Sequence, residues 1–217
     1  MQKLKAEYPS IDIISDNKKA AGCDYVFLSL HPPVIGAALS KIQGILKSDA
    51  VLVSLAPKWT IAQISDALGG FNRIARMIPN APTIIGEGYN PVAFSGALNG
   101  DAKKNILRLI NVFGDSPEVD EEKLEAYAIL TAMGPTYLWF QMQKLRELGA
   151  SFGLTAKETD KALYEMFKGA AKTLFKSGLS YDEVVNLVPV KPLGDEEQGI
   201  QQIFETRLTG LYQKLKG

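Results

Sequence analysis

The chain has one cysteine, one histidine and no excess of charge of either sign, and each shortage closes off a class of function. A lone thiol, Cys23, can form neither an internal disulfide nor a cysteine-based metal site, which suits a reducing, cytoplasmic compartment. Because Cys23 precedes the apolar run that starts at Tyr25, a small buried thiol is expected rather than a nucleophile. Twenty-four Lys and Arg residues balance twenty-four Asp and Glu residues, so no net field gathers nucleic acid or an anionic membrane surface. No stretch approaches the roughly 18 apolar residues of a membrane span, and Met1-Gln2-Lys3-Leu4-Lys5-Ala6-Glu7 lacks an apolar signal core. The expectation is a soluble intracellular protein with no nucleic-acid, membrane or metal partner.

What is present suffices for a real core: 217 residues, 46% hydrophobic and 22% charged. In the first half short apolar runs alternate with helical patterns. Residues 11–14, 25–30, 50–55 and 73–78 read as strands, and the middle two are nearly continuous apolar segments of the kind buried on both faces of a parallel sheet. Residues 34–46 and 60–68 between them carry apolar positions three and four apart. This alternation predicts an α/β, doubly wound, Rossmann-like layering. Shorter strands are expected at 83–85 and 92–94, an amphipathic helix at 101–113, and a last edge strand at 116–119.

From residue 120 onward the pattern is all-helical. Residues 121–148 form one long helical period interrupted at Gly134-Pro135, where the proline must kink or break the helix. Thr155 with Glu158 has the capping-box spacing at the start of a helix over 155–176. Helices at 180–187 and 196–215 complete this half. Its wide apolar faces, Leu163, Met166, Phe167, Ala170, Leu174 and Phe175 among them, favour self-association. The domain boundary therefore falls between residues 119 and 120.

One loop has the look of a site. Arg76-Met77-Ile78-Pro79-Asn80-Ala81-Pro82 leads directly into Thr83-Ile84-Ile85-Gly86-Glu87-Gly88. Pro79 and Pro82 fix their own φ and bias Ile78 and Ala81 toward extended geometry, so the amide of Asn80 is expected to be held in place.

That segment, with Asp24-Tyr25-Val26-Phe27-Leu28-Ser29-Leu30-His31-Pro32, Val51-Leu52-Val53-Ser54-Leu55-Ala56 and Gly134-Pro135-Thr136-Tyr137, resembles pyrroline-5-carboxylate reductase in order and spacing over nearly the whole chain. The resemblance implies a Rossmann-like dinucleotide-binding domain followed by an all-α dimerisation domain of the 6-phosphogluconate dehydrogenase C-terminal type. It implies NAD or NADP as cofactor, a homodimer or larger homo-oligomer, and reduction of 1-pyrroline-5-carboxylate or a related cyclic imino acid to proline. A non-catalytic, dimerising ligand-binding relative is the alternative.

By the same resemblance Asn17, Ser29, His31, Pro32, Ala56, Asn80 and Ala81 stand at cofactor-contacting positions. Glu87, Thr131, Met133, Gly134, Pro135 and Thr136 stand at substrate positions, with Glu87 and Thr136 as the candidates for catalytic roles. A broken helix end also offers an anion site for a carboxylate on physical grounds. Several positions depart from the family pattern. His31 replaces a lysine, Pro57 a glycine, and Met133 a serine; Thr136 supplies a hydroxyl that the pattern lacks. The family opens with a strand, a Gly-x-Gly-x-x-Gly turn, a helix and a second strand; here residues 1–8 align with the helix after that second strand. A truncated sequence, a partner chain supplying the rest, or a relative that gave up dinucleotide binding would each account for this.

Overall fold

The structure is a computed structural model that describes residues 2–216. Two compact units emerge from its contacts: residues up to Ala132 together with those from Tyr212 onward, and Met133–Leu211.

The first unit begins with helices α1 (Gln2–Glu7) and α2 (Asn17–Ala21), and continues through β1 (Tyr25–Leu28), α3 (Pro32–Ile42), β2 (Val51–Ser54), α4 (Ile61–Ala67) and β3 (Ile74–Met77). Met1, the start of the expected first helix, lies outside the described residues. Next come a 3-10 turn (Ala81–Ile85), β4 (Gly88–Tyr89), β5 (Val92–Phe94), α5 (Gly100–Ile110) and β6 (Gly114–Asp115). The main sheet has the order β1-β2-β3-β5. Its first three strands are parallel, in a register that pairs Val26 with Leu52 and Leu52 with Ile74, and β5 closes it antiparallel to β3.

Strand alternation sends successive side chains to opposite faces, and each face has its own helical cover. Leu52 and Ile74 pack with Ile35, Leu39 and Ile64 beneath α3 and α4. Val51, Val53, Ala75 and Met77 pack with Ile106 and Ile110 of α5. β2 and β3 are buried at every residue, the polar Ser54 and Arg76 included. Tyr25 and Phe27 share the register positions of Val51 and Val53 and remain exposed, and the outer edge of β1 has no strand partner among the described residues.

Several expectations need correction. Residues 11–14 form no strand, and Ile11 and Ile14 are exposed. A strand exists only against a neighbour, and among the described residues the sheet ends at β1. The β-branched run at 83–85 lies in a 3-10 turn rather than a strand. Pro82 sits in its first turn, Gly86 closes it with φ 74°, and the pre-proline bias at Ala81 yields to the turn. The last ladder forms at Gly114–Asp115, pairing with β4, while residue 118 makes only an isolated bridge to Val92. Gly114 comes so close to the Gly88 backbone that a Cβ would lie 2.1 Å from its carbonyl oxygen, at a φ of 126°. Cys23 is exposed in the turn before β1, not buried.

The helical pattern after residue 120 is realised in pieces: a 3-10 turn (Glu121–Lys123), α6 (Leu124–Tyr127) and a π turn (Ala128–Ala132). Leu124 and Ala128 pack with Ile78, Ala93 and Leu215 in a third core cluster. The second unit comprises α7 (Gly134–Ser151), α8 (Ala156–Lys176), α9 (Tyr181–Val185) and the greater part of α10 (Glu197–Lys216). Reciprocal capping boxes at Thr155/Glu158 and Ser180/Glu183 start α8 and α9. Gly149 of α7 meets Thr159 of α8 so closely that a Cβ would lie 2.6 Å from Thr159 Cγ2. Tyr137 stands edge-on to Phe204 with ring centroids 5.9 Å apart.

Candidate functional site

Parallel strands deliver their following loops to one edge of a sheet. In this register Leu28 pairs with Ser54 and Ser54 with Arg76, so Ser29 to Pro32, Ala56, and Asn80 with Ala81 all follow strands at the same carboxyl edge. That edge is where open α/β sheets bind ligands. Six of the seven cofactor positions inferred from sequence therefore share it, and the seventh, Asn17, lies before β1. Ser29 and Asn17 line one cavity of about 180 Å³ together with Ala20, Val26 and Leu28.

Asn80 caps the 3-10 turn, and its side chain is not left to wander. Its Oδ1 accepts the Tyr89 N–H at 3.0 Å, and its carbonyl accepts the Thr83 N–H. With Oδ1 engaged, the Nδ2 amide hydrogens have no protein partner among the described residues. They form an open donor at the strand ends. Ala81 and Glu87 are exposed. The Glu87 N–H donates to the Pro82 carbonyl at 3.1 Å, which fixes the backbone, while its carboxylate has no polar partner among the described residues.

The neighbouring loops are poorer in donors. His31 is exposed and precedes α3 without capping it. Pro32 and Pro33 carry no N–H, and the Val34 N–H turns back to the His31 carbonyl at 3.1 Å, so the start of α3 has little to offer a phosphate. Ala56 is buried, and its N–H is directed at Ser54 Oγ at 3.4 Å. The donor set on this edge fits a carbonyl acceptor near Asn80. It does not by itself form a pyrophosphate cradle.

The helix-break residues divide between the two units. Thr131 belongs to the first, where its hydroxyl donates to the Tyr127 carbonyl at 2.8 Å. Tyr127 in turn faces Tyr89 at a ring distance of 6.1 Å, and burial, then Tyr127 itself, hold the Tyr89 phenol above its ordinary range. Met133, Gly134, Pro135 and Thr136 open the second unit. Pro135 has no N–H for the carbonyl four residues back, and the π turn just before it is the local answer to that missing bond. The Thr136 N–H and hydroxyl both donate to the Met133 carbonyl, at 2.9 Å and 2.7 Å. Met133 stands at the N-cap of α7 with helical φ and ψ, and its side chain makes no capping bond.

Sequence reasoning missed Arg76. Its side chain is 1% exposed, and its guanidinium reaches Glu121 and Glu125, each at 2.8 Å. The same Glu121 Oε1 accepts the Ile61 N–H at the start of α4, at 2.7 Å. The partly exposed Glu121 carboxylate is thus also offset by a helix N-terminus. The signal was one arginine inside the run Ile74-Ala75-Arg76-Met77; nothing in the sequence named its partners. Asn90 was missed as well. Among the described residues no group of three or more His, Cys, Asp and Glu side chains could hold a metal ion, and no helix is long and apolar enough to cross a membrane.

Residues 121–215 match the family described as pyrroline-5-carboxylate reductase dimerisation. A pyrroline-5-carboxylate reductase from Corynebacterium melassecola is 26% identical over 214 residues, which cover 97% of this chain and 79% of that protein. The solved structure of a pyrroline-5-carboxylate reductase from Coxiella burnetii is 25% identical with a TM-score of 0.73, covering 100% of this chain and 84% of that one. A Plasmodium falciparum pyrroline carboxylate reductase solved with NADP bound shares the fold, with a TM-score of 0.76 at 22% identity over 94% of this chain and 79% of its own. The similarity runs through the sheet and the helices alike, and along nearly its whole length the chain is similar to pyrroline-5-carboxylate reductases.

Proposed function

We propose that this protein reduces 1-pyrroline-5-carboxylate to proline at the expense of a nicotinamide dinucleotide, the last step of proline biosynthesis. What carries the reading is that one similarity to such reductases spans both units, with 97% of the chain aligned. We assign residues 1–119 to the cofactor half and 120–217 to the helical half.

When bound, the reduced nicotinamide supplies a hydride to the imine carbon, and a proton taken up by the ring nitrogen completes the amine. The chain's own part is to hold and orient. Asn17 and Ser29 border the cavity beside β1, and His31, Pro32, Ala56 and Ala81 shape the strand-end shelf. Asn80 turns its open Nδ2 donor toward a carbonyl of the cofactor. Glu87, an exposed carboxylate held by its backbone, favours the protonated, more electrophilic imine by charge. Thr131, Met133, Gly134, Pro135 and Thr136 receive the substrate carboxylate. The two hydroxyls already donate to carbonyls, so each gives up an existing bond to make the new one. A net gain of no more than about 1 kcal/mol per hydroxyl is expected, and Thr136→Ala should raise KM by less than about tenfold.

We also assign the helical half to pairing of two copies. Between Met133 and Leu211 only Gly149 and Thr159 are buried, while Phe140, Phe152 and Phe175 are at least 67% exposed.

The test is direct. Purified protein is supplied with 1-pyrroline-5-carboxylate and NADPH or NADH, and proline is quantified by chromatography against nucleotide oxidised. One proline per nucleotide with one cofactor preferred is the expected outcome, and it settles the choice between NADP and NAD. Saturable nucleotide binding without proline would point to another cyclic imino acid, and no binding of either nucleotide would overturn the proposal.

A further inference from the structure

We propose that Asn90 is the positioning residue for Asn80, clasping the ligand-facing amide from behind. The proposal rests on the reading above, in which Asn80 faces the cofactor.

Asn90 is fully buried at 0% exposure, and a buried amide must satisfy both its acceptor and its donor. Its Oδ1 accepts the Asn80 N–H at 3.2 Å and the Thr83 hydroxyl at 2.9 Å. Its Nδ2 donates to the Phe113 carbonyl at 3.4 Å, and its N–H donates to the Asp115 carbonyl at 2.7 Å. These partners fix which way the amide points, because a flipped group would set NH2 against an N–H and oxygen against a carbonyl. Tyr89, immediately before it, donates its N–H to Asn80 Oδ1. Residue 80 is therefore held at its backbone nitrogen and at its side-chain oxygen by two consecutive residues of one strand exit. The only amide group of Asn80 left over is Nδ2, which is the group that would meet a ligand.

The chain makes room for this clasp. A Cβ at Gly88 would lie 2.3 Å from Thr83 Oγ1 and 2.6 Å from Asn90 Nδ2, so glycine at 88 lets the Asn90 amide and the Thr83 hydroxyl meet. Apart from Asn80 itself, none of these contacts involves a group expected to touch substrate or cofactor. Their effect is to present one donor in one orientation before the ligand arrives, which lowers the ordering needed on binding.

The experiment compares Asn90→Ala, Thr83→Val, Asn80→Ala and the Asn80→Ala/Asn90→Ala double variant, with nucleotide KM, kcat and melting temperature measured for each. Asn90→Ala should raise nucleotide KM by about five- to fiftyfold with a smaller change in kcat, and should have little further effect once Asn80 is alanine. Thr83→Val, which leaves Asn90 in place, should shift KM in the same direction by less. Equal and additive losses in both backgrounds, or a fall in melting temperature with unchanged KM in the folded protein, would show Asn90 to be structural filling and overturn the proposal. If Asn90→Ala does not fold, the Thr83→Val and Asn80→Ala pair decides by the same non-additivity. If the wild-type protein binds no nucleotide at all, it is the proposed function that fails.

Discussion

The sheet unit and the helical unit solve the same problem differently. In the first, both faces of β2 and β3 are covered, and the buried Arg76 is met by two carboxylates, one of them, Glu125, buried with it. In the second, capping boxes and a few helix contacts set the helices, yet no large apolar side chain is fully buried. One unit is defined by its interior. The other is defined by its ends and by the surface it offers, and such a surface is stable only when something covers it. The protein carries a reporter for each: Trp59 packs against the first core, while Trp139 in α7 is 51% exposed.

The strongest blow to this contrast falls on Arg76. Arg76→Ala would leave Glu121 and Glu125 without their cation, and a loss of about 3–5 kcal/mol is expected in urea unfolding followed by Trp59 in a Trp139→Phe background. An unchanged midpoint would mean that the cluster carries no weight. Next in size is Gly149→Ala, which thrusts a methyl into Thr159 and should destabilise the α7–α8 pair by about 1–3 kcal/mol, read by Trp139. A stabilised variant would show that the helices separate at no cost.

Dilution sharpens the comparison further. If pairing covers the helical half, a tenfold dilution should weaken its transition by about 1.4 kcal/mol per dimer while sedimentation tracks the dissociation. A midpoint independent of concentration over the range where sedimentation shows one species would refute pairing. The smallest effect concerns acid. The Thr155 hydroxyl and N–H hold Glu158 below the ordinary carboxylate range, and the Ser180 N–H and hydroxyl do the same for Glu183. A depressed folded pKa gives stability that is present above the unfolded value and fades as pH falls through the folded one. Helical circular dichroism should therefore sag slightly at the acid end, and less so in Glu158→Gln, whose amide keeps the cap at every pH. Identical acid profiles would remove the carboxylate from the explanation.

Much of this was legible because the signals were local. The run at 50–55 is nearly continuous in apolar residues, and Val51–Ser54 became a fully buried strand, whereas the similar run at 25–30 became an edge strand that leaves Tyr25 and Phe27 exposed. Thr155 and Glu158 state their cap in four residues. Misreadings arose where a neighbour decides. Residues 11–14 have strand composition but no strand to pair with among the described residues, and Thr83-Ile84-Ile85 has strand composition but sits between Pro82 and Gly86. At the site, the proline-flanked asparagine was visible and its amide is held. The holders, Asn90 and Tyr89, were not, since hydrogen bonds across a strand exit leave no spacing rule. The same applies to Glu121 and Glu125, 45 and 49 positions beyond the arginine they face.

Among the described residues the outer border of β1 has no strand partner, and this has one further consequence. Its outward peptide groups, flanked by Tyr25 and Phe27, can zip onto a like border of another molecule and nucleate ribbons. Turbidity in concentrated stocks would then begin at this strand, and Phe27→Lys would clear it.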